Sequence, residues 1–485
     1  MNLPFLVACL FIIVRQTLSF RSPQTSLQPL SRRGAAGRPL DYATGWPQKF
    51  PAKDHCSRCG LCETTFVSRV KDACALLPET GMSRMHDLEV KVHGRSRNTH
   101  HAMDTADEGR FGVLHEEMKL VKGVGMNDSQ WTGVVTSIAL SMLEAKKVDA
   151  VVCIAGEQDS WATPEAIVAK SAEQILRGRG VKPSLAPSLK VLDEIKEDRS
   201  IRKLLFCGVG CSVQAFRAIQ DDLDLDEVYV LGTNCVDNSP TPKAAENFVR
   251  VGLGLKDIEE VKGYEFMQDF RVHAKTSDGY LTKPYFCLPG VIAKPSIATS
   301  CLACFDYTNG LADVVVGYMG APLDSGRRMD ESFQTLTIRN QKGADMIETT
   351  RKRGLLSIGP TATGKGSFED FALSTLKSDA IVQSMIGGSI MEKGLPDWLG
   401  TMLAFLLQRI GPTGINFARY SIDYHILRNY MHVVGEWGET SAKKFVPAYA
   451  QKIIKKYLEK DSMTNLLSQI HQNSEYSSRK SRDPY

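Results

Sequence analysis

The chain has 485 residues, 43% of them hydrophobic, and 59 basic side chains against 55 acidic ones. A chain this long buries large cores without disulfide staples, which excludes the small stapled secreted class. Its near-neutral balance, with no basic stripe interleaved with aromatics, excludes a surface that tracks nucleic-acid phosphates, so no nucleic-acid partner is expected.

Residues 1–45 read as a two-part targeting leader. Leu3 to Val14 form an apolar run too short to span a bilayer but the length of a signal-peptide core, with Ser19 and Phe20 at a cleavage junction. After Phe20 come Arg21, Arg32, Arg33 and Arg38, with no acid until Asp41, which is transit-peptide chemistry. Together they predict delivery to the stroma of a complex plastid, one wrapped in extra membranes. The alternative, secretion with a disordered linker, conflicts with the thiol spacing that follows.

Residues 46–110 are expected to form an N-terminal iron–sulfur module. Cys56, Cys59 and Cys62 recur at two-residue intervals in DHCSRCGLC, and Cys74 follows in KDACALL. Three thiolates from one tight turn and a fourth from a nearby segment suit an iron–sulfur cubane. A zinc knuckle more often pairs two separated hooks, and a disulfide is the weakest reading.

Residues 111–345 read as an α/β core. Apolar runs at 148–156, 203–211, 227–235 and 312–320 each end in Gly or Cys, as strands buried on both faces do. Amphipathic stretches at 137–148 and 188–198 suit covering helices. Gln130, Trp131, Thr132, Gly133 and Thr136 precede or open the first of these. Their amides and hydroxyls suit a flavin pyrophosphate, or else a helix cap beside a packed tryptophan. GVGCS at 208–212 is half a dinucleotide fingerprint, and GPTATGKG at 359–366 lacks the magnesium-binding hydroxyl of a phosphate loop, so it reads as a turn.

A second thiol group is dispersed: Cys211 and Cys235 at strand ends, and Cys301 with Cys304 as a C-x-x-C hook. These four suit a second cubane; the alternative for the first two is small buried packing residues. Cys153, Cys207 and Cys287 sit in apolar runs and read as core, and Cys9 lies in the leader. Residues 346–462 read as mostly helical, with Leu399 to Leu407 as a packed core helix or a greasy docking surface, and residues 463–485 as a flexible tail. The fold expected is thus α/β: a mixed sheet core with flanking helices, an N-terminal iron–sulfur loop module and a helical C-terminal extension.

From about Asp54 to about Tyr457 the blocks QWTGVVTSIA, KLLFCGVGCSVQAFRA, YVLGTNCVDN, YEFMQDFRVH, SCLACFDYTNGLADVVVGYMGAP and FARYSIDYHILRNY resemble one family. It is that of the plastid and cyanobacterial chlorophyll-ring reductases, related to the beta subunit of deazaflavin-reducing hydrogenases. The resemblance implies an oxidoreductase using FAD and two [4Fe-4S] clusters, with reduced ferredoxin as donor and a chlorophyll or chlorophyllide as substrate. Peripheral contact with the thylakoid is the expectation that goes with the greasy-surface reading of Leu399 to Leu407. The resemblance assigns Cys56, Cys59, Cys62 and Cys74 to one cluster and Cys211, Cys235, Cys301 and Cys304 to the other. Ser212 and Asn234 depart from the wider hydrogenase-subunit pattern, and neither departure removes a thiol.

Two pigment reactions stay open. The leader favours 8-vinyl reduction of divinyl chlorophyllide, because many algae with complex plastids lack the chlorophyll b whose conversion the 7-hydroxymethyl chlorophyll a reductase serves. A deazaflavin-linked electron-transfer subunit and a zinc-stabilised binding module are the remaining alternatives. No catalytic residue is assigned: Tyr264, Glu265, Asp269 and His425 are titratable members of these blocks, and each reads as structural.

Overall fold

The structure is a computed structural model. It describes residues 40–41, 46–47 and 55–480, apart from 78–80, 99–106, 127–128, 130, 157–159 and 323–327. The leader's signal and transit features, Cys9 and Gln130 therefore lie outside the described residues.

Eleven strands matter here: β1 (Lys119–Gly123), β2 (Ala150–Gly156), β3 (Pro164–Ala169), β4 (Lys203–Gly208), β5 (Glu227–Thr233), β6 (Val261–Phe266), β7 (Arg271–Thr276), β8 (Gly279–Pro284), β9 (Val314–Gly317), β10 (Gln334–Ile338) and β11 (Leu356–Thr361). Eight of them make one mixed sheet in the order β11-β1-β10-β9-β5-β4-β2-β3, and β8-β7-β6 form a separate antiparallel sheet. The four apolar runs predicted as strands are β2, β4, β5 and β9. They lie side by side and parallel in the middle of the large sheet, where both faces are covered.

The outer strands β3, β10, β1 and β11 pair antiparallel and carry more polar sequence. Thr335 in β10 is buried, and its hydroxyl is satisfied by the carbonyls of Gly317 and Met319, each at 2.9 Å. A buried hydroxyl is tolerable only with such partners.

The helices that position the site are α1 (Val134–Glu144), α2 (Gly210–Ile219), α3 (Gln341–Lys352), α4 (Glu369–Ser378), α5 (Asp397–Ile410), α6 (Ile415–Phe445), α7 (Ala448–Leu458) and α8 (Asp461–Lys480). One face of the sheet is sealed by α1 and α3, whose Val134, Ile138, Met346 and Ile347 join the strand side chains in one core. On the other face, α2 contributes Val213 and Phe216 to a larger core shared with Leu61, Phe66 and Leu76 of the N-terminal cysteine segment and with the C-terminal helices. The cysteine loops are thus pinned between the sheet and the C-terminal helices.

Helix α6 carries a break at Gly438, whose left-handed φ of 79° is available to glycine at little cost. Helix α5 packs as the core reading of its sequence expects, and it also leaves an apolar face exposed. Gly400, Leu403, Ala404 and Leu407 face the core, while Trp398, Met402, Phe405 and Ile410 are exposed.

The segment expected as a flexible tail differs. Residues 461–480 form α8, with Met463, Leu466 and Ile470 buried. These apolar residues recur at helical spacing within a polar sequence, and packing them is what orders the helix. No helix among the described residues is long and apolar enough to cross a membrane.

Candidate functional site

The first four thiols come from one compact segment. Cys56 and Cys59 lie on the turn entering a short 3-10 helix that contains Cys62, with Gly60 at φ 90° allowing the reversal, and Cys74 caps the helix Val70–Ala73. A side chain at Gly60 would meet the Lys190 backbone at 2.9 Å, so the turn also needs glycine for its close approach to the core domain. Burial pushes the Cys59 thiol up to about 12 against a hydrogen bond from the Leu61 backbone, and Cys74, Cys56 and Cys62 push it further. Burial likewise raises Cys74, which also feels Cys56 and Cys62, so the structure brings these four together.

The other four converge from three parts of the chain. Cys211 is in the first turn of α2, directly after β4, where helix amides favour a thiolate. Cys235 follows the neighbouring strand β5, and Cys301 and Cys304 bracket a single 3-10 turn. Burial raises all four thiols, Cys301 to about 12, and Cys301 adds to the rise at Cys211, Cys235 and Cys304. Asn238 donates from Nδ2 to the Cys235 sulfur at 3.5 Å, a contact of the kind that tunes a sulfur ligand.

Helix α6 fixes this second set. Asn429 Nδ2 donates to the carbonyls of Cys301 and Cys304, both at 2.7 Å. Its neighbour Arg428 forms two parallel hydrogen bonds of 2.7 Å to Asp237, two residues beyond Cys235. Burial opposes ionisation of Asp237, yet Arg428 and His425 hold its carboxyl well below the usual carboxylate range. Tyr307 donates to the Cys304 carbonyl at 2.7 Å and accepts the backbone N–H of Cys235 through its own carbonyl at 3.1 Å.

The two sets adjoin. Cys211 feels the charge of Cys59 and takes a hydrogen bond from Ser57, inside the first loop. Among the described residues no three His, Cys, Asp or Glu side chains are grouped tightly enough to hold a single metal ion. A cluster that gives each thiolate its own iron needs wider spacing than one tetrahedral ion does. The chemistry of the donors fits such a cluster: buried thiols ionise only when a cation compensates them.

The predicted flavin loop is the turn between β1 and α1. Thr132 Oγ1 accepts the Gly123 N–H at 2.9 Å, and Gly133 opens α1 at φ 78°, where a side chain would meet Met126 Cγ at 2.3 Å. Trp131 is buried and stacks on Tyr318, with centroids 5.6 Å apart and planes 9° from parallel. Ser129 Oγ is buried without a hydrogen-bond partner among the described residues, beside a helix N-terminus. Thr136, one turn into α1, is half-exposed. An unsatisfied hydroxyl, free helix amides and an aromatic stack fit a flavin nucleotide.

Models of the coenzyme F420 hydrogenase/dehydrogenase beta subunit match this chain, the N-terminal part over residues 125–193 and the C-terminal part over 201–363. The chain is 45% identical over 409 residues to 7-hydroxymethyl chlorophyll a reductase, chloroplastic, of Oryza sativa subsp. japonica, covering 84% of this chain and 83% of that protein. It belongs to the chlorophyll-ring reductase family related to the F420 hydrogenase beta subunit. A member of this family is an oxidoreductase. An uncharacterised protein of Nostoc is 38% identical over 410 residues, covering 84% of this chain and 94% of that one. The F420-reducing [NiFe] hydrogenase complex of Methanosarcina barkeri contains a chain that aligns with a TM-score of 0.45 and 22% identity, over 59% of this chain and 97% of its own.

Sequence reasoning missed the residues that hold the second thiol set. Asp237 carried a signal, lying two residues after a cysteine within a turn. Arg428 and Asn429 carried none, because their partners are more than a hundred positions away. Cys153 and Cys287 are buried as core residues, and the half-buried Cys207 packs with Cys153.

Proposed function

We propose that the protein reduces the 7-hydroxymethyl group of 7-hydroxymethyl chlorophyll a to a methyl group, using electrons from reduced ferredoxin. The observation that carries this reading is the 45% identity to the rice reductase over 84% of the chain. That relative favours the 7-hydroxymethyl reaction over the 8-vinyl reduction expected from the leader. The chloroplastic relative supports a plastid location, within which the stroma of a complex plastid is the finer reading of the leader.

In this reading Cys56, Cys59, Cys62 and Cys74 hold one [4Fe-4S] cluster, and Cys211, Cys235, Cys301 and Cys304 hold the second. FAD lies at Gln130, Trp131, Thr132, Gly133 and Thr136. Bound flavin supplies the storage of two electrons and their delivery as a hydride equivalent, which single-electron ferredoxin cannot provide alone. The chain's own part is positional. Ser57 and Cys59 place the first thiol set near Cys211 of the second, and Tyr318 of the Trp131 stack feels the charge of Cys235. Asn429 and Arg428 hold the loops against the mutual repulsion of the thiolates when the buried thiols ionise, so that the ligand geometry is set before the metal arrives.

The test is anaerobic incubation of the purified protein with reduced ferredoxin and each pigment separately. Formation of chlorophyll a from the 7-hydroxymethyl pigment is expected. Turnover of divinyl chlorophyllide alone would return the assignment to the 8-vinyl reaction.

A further inference from the structure

We propose that the exposed face of α5 docks on an anionic lipid surface, with Trp398, Met402 and Phe405 seated at the headgroup boundary and Lys393 and Arg409 paired with the lipid charge. The inference rests on the function proposed above only in naming that surface as the one that holds the pigment.

Helix α5 is apolar on both sides. Gly400, Leu403, Ala404 and Leu407 are buried, while Trp398 is 71% exposed and Phe405 52%, with Met402 and Ile410 exposed beside them. From Trp398 to Gln408 the helix carries no charged residue. A helix that is apolar all round is ordinarily covered all round, so the outer face calls for an apolar medium. The face continues beyond the helix. The Gly290 amide donates to the Met391 carbonyl at 3.0 Å, which brings the exposed side chains of Val291 and Met391 to the same turn. The Leu395 amide donates to the Phe286 carbonyl at 2.8 Å, tying that turn to the start of α5.

The charges select the occupant. Arg409 lies along the face, its guanidinium carbon 3.4 Å from the centroid of the Phe405 ring and its Nη1 donating to the Phe405 carbonyl at 3.3 Å. Neither Arg409 nor Lys393 meets a carboxylate among the described residues. The acids nearby are Glu392 and Asp397, and Asp397 occupies the first turn of α5, where the helix amides favour its charge. A cation whose stem lies on an apolar face and whose head is free is arranged to reach a headgroup. A symmetric contact with a second copy would bring each Arg409 toward its own equivalent, which like charge disfavours. Anionic lipid gives the cation a partner and the rings an apolar medium.

The face also adjoins the strand that leads to the aromatic stack. A side chain at Gly400 would sit 3.5 Å from Cβ of Pro284, the last residue of β8, and Tyr280 of the same strand packs with Trp131. Pro284 and Tyr280 are four strand steps apart, roughly 13 Å. A pigment held in the lipid thus meets the protein close to the predicted flavin loop.

The test is flotation of the full-length, iron-loaded protein with vesicles of phosphatidylcholine alone and of phosphatidylcholine and phosphatidylglycerol in equal parts. The wild type should float with the anionic vesicles. Phe405→Glu should lower the bound fraction by about tenfold or more with iron and flavin content unchanged. The double variant Lys393→Gln, Arg409→Gln should lose the preference for the anionic vesicles. Tryptophan emission of the wild type should move to shorter wavelength on adding these vesicles, and Trp398→Phe should remove that shift. A folded, iron-loaded wild type that stays unbound, or a Phe405→Glu protein that floats like it, would overturn the proposal. So would a wild type that is dimeric without vesicles and becomes monomeric on Phe405→Glu, since a second copy would then cover the face. A wild type that binds the vesicles but reduces neither pigment would overturn the parent function and leave the lipid contact standing.

Discussion

Arg428 holds Asp237 through two parallel hydrogen bonds of 2.7 Å, and Asp237 sits two residues from Cys235 while the next helix residue, Asn429, holds the Cys301 and Cys304 carbonyls. One helical step thus ties three of the four thiols in the second set to α6. Arg428 is 2% exposed at its side chain and Asp237 19%, so the pair is largely out of water. Removing one partner leaves a buried charge uncompensated, which costs about 3–5 kcal/mol. Arg428→Ala should lower the denaturant midpoint accordingly and release iron from the second set first. Arg428→Lys should recover only part of the loss, since an ammonium cannot reproduce the bidentate fork.

The packing of Cys59 and Cys211 against one core, close enough for Cys211 to feel the charge of Cys59, predicts magnetic communication between the two sets. After anaerobic reduction, the electron paramagnetic resonance spectrum of the wild type should be broadened by interaction of two spins. Cys301→Ala, which disables the second set, should leave a narrower signal from one centre. Identical line shapes in the two proteins would contradict the adjacency.

His93 predicts a pH dependence. Its Nε2 bonds the Gly310 carbonyl at 2.8 Å and its Nδ1 faces the Asn340 amide at 3.1 Å, an arrangement made by the neutral ring with the proton on Nε2. Burial lowers it from its ordinary 6.5 to about 4. The unfolded chain therefore binds a proton that the folded one refuses between those values. Its contribution is fully present above about pH 6.5 and is lost progressively down to about pH 4, by which point the loss amounts to about 3 kcal/mol. Denaturation across that range should show His93→Gln with a flatter profile than the wild type.

Gly133 predicts flavin loss. An alanine there meets both a left-handed backbone, costing about 1–2 kcal/mol, and Met126 Cγ at 2.3 Å. Gly133→Ala should displace the turn that carries Trp131 and Ser129. Purified protein should retain its iron while its flavin content falls by at least half.

The fold was legible in outline, and the thiol sets were legible as candidates. Thiols at cluster spacing announce themselves because few other demands place Cys56, Cys59 and Cys62 at such intervals. β2, β4, β5 and β9 were readable as uninterrupted apolar runs, which follows from their burial on both faces. β10 was not, since QTLTI reads as half-polar until Gly317 and Met319 supply partners for Thr335. The clamp from α6 was invisible for a related reason: Arg428 and Asn429 look like ordinary polar helix residues, and only the tertiary fold brings them to Asp237 and the C-x-x-C turn. In α8, Met463, Leu466 and Ile470 were diluted by Ser, Gln and Asn, so composition masked the periodicity that packing uses.

The central claim is that two sets of four thiols each hold one iron–sulfur cluster. Iron and acid-labile sulfide should be quantified per chain in oxygen-protected wild type, Cys59→Ala and Cys301→Ala. The account predicts that each substitution removes about half of the wild-type iron and that the double variant retains almost none. Full iron in both single variants, or a wild type carrying zinc in place of iron and sulfide, would contradict it.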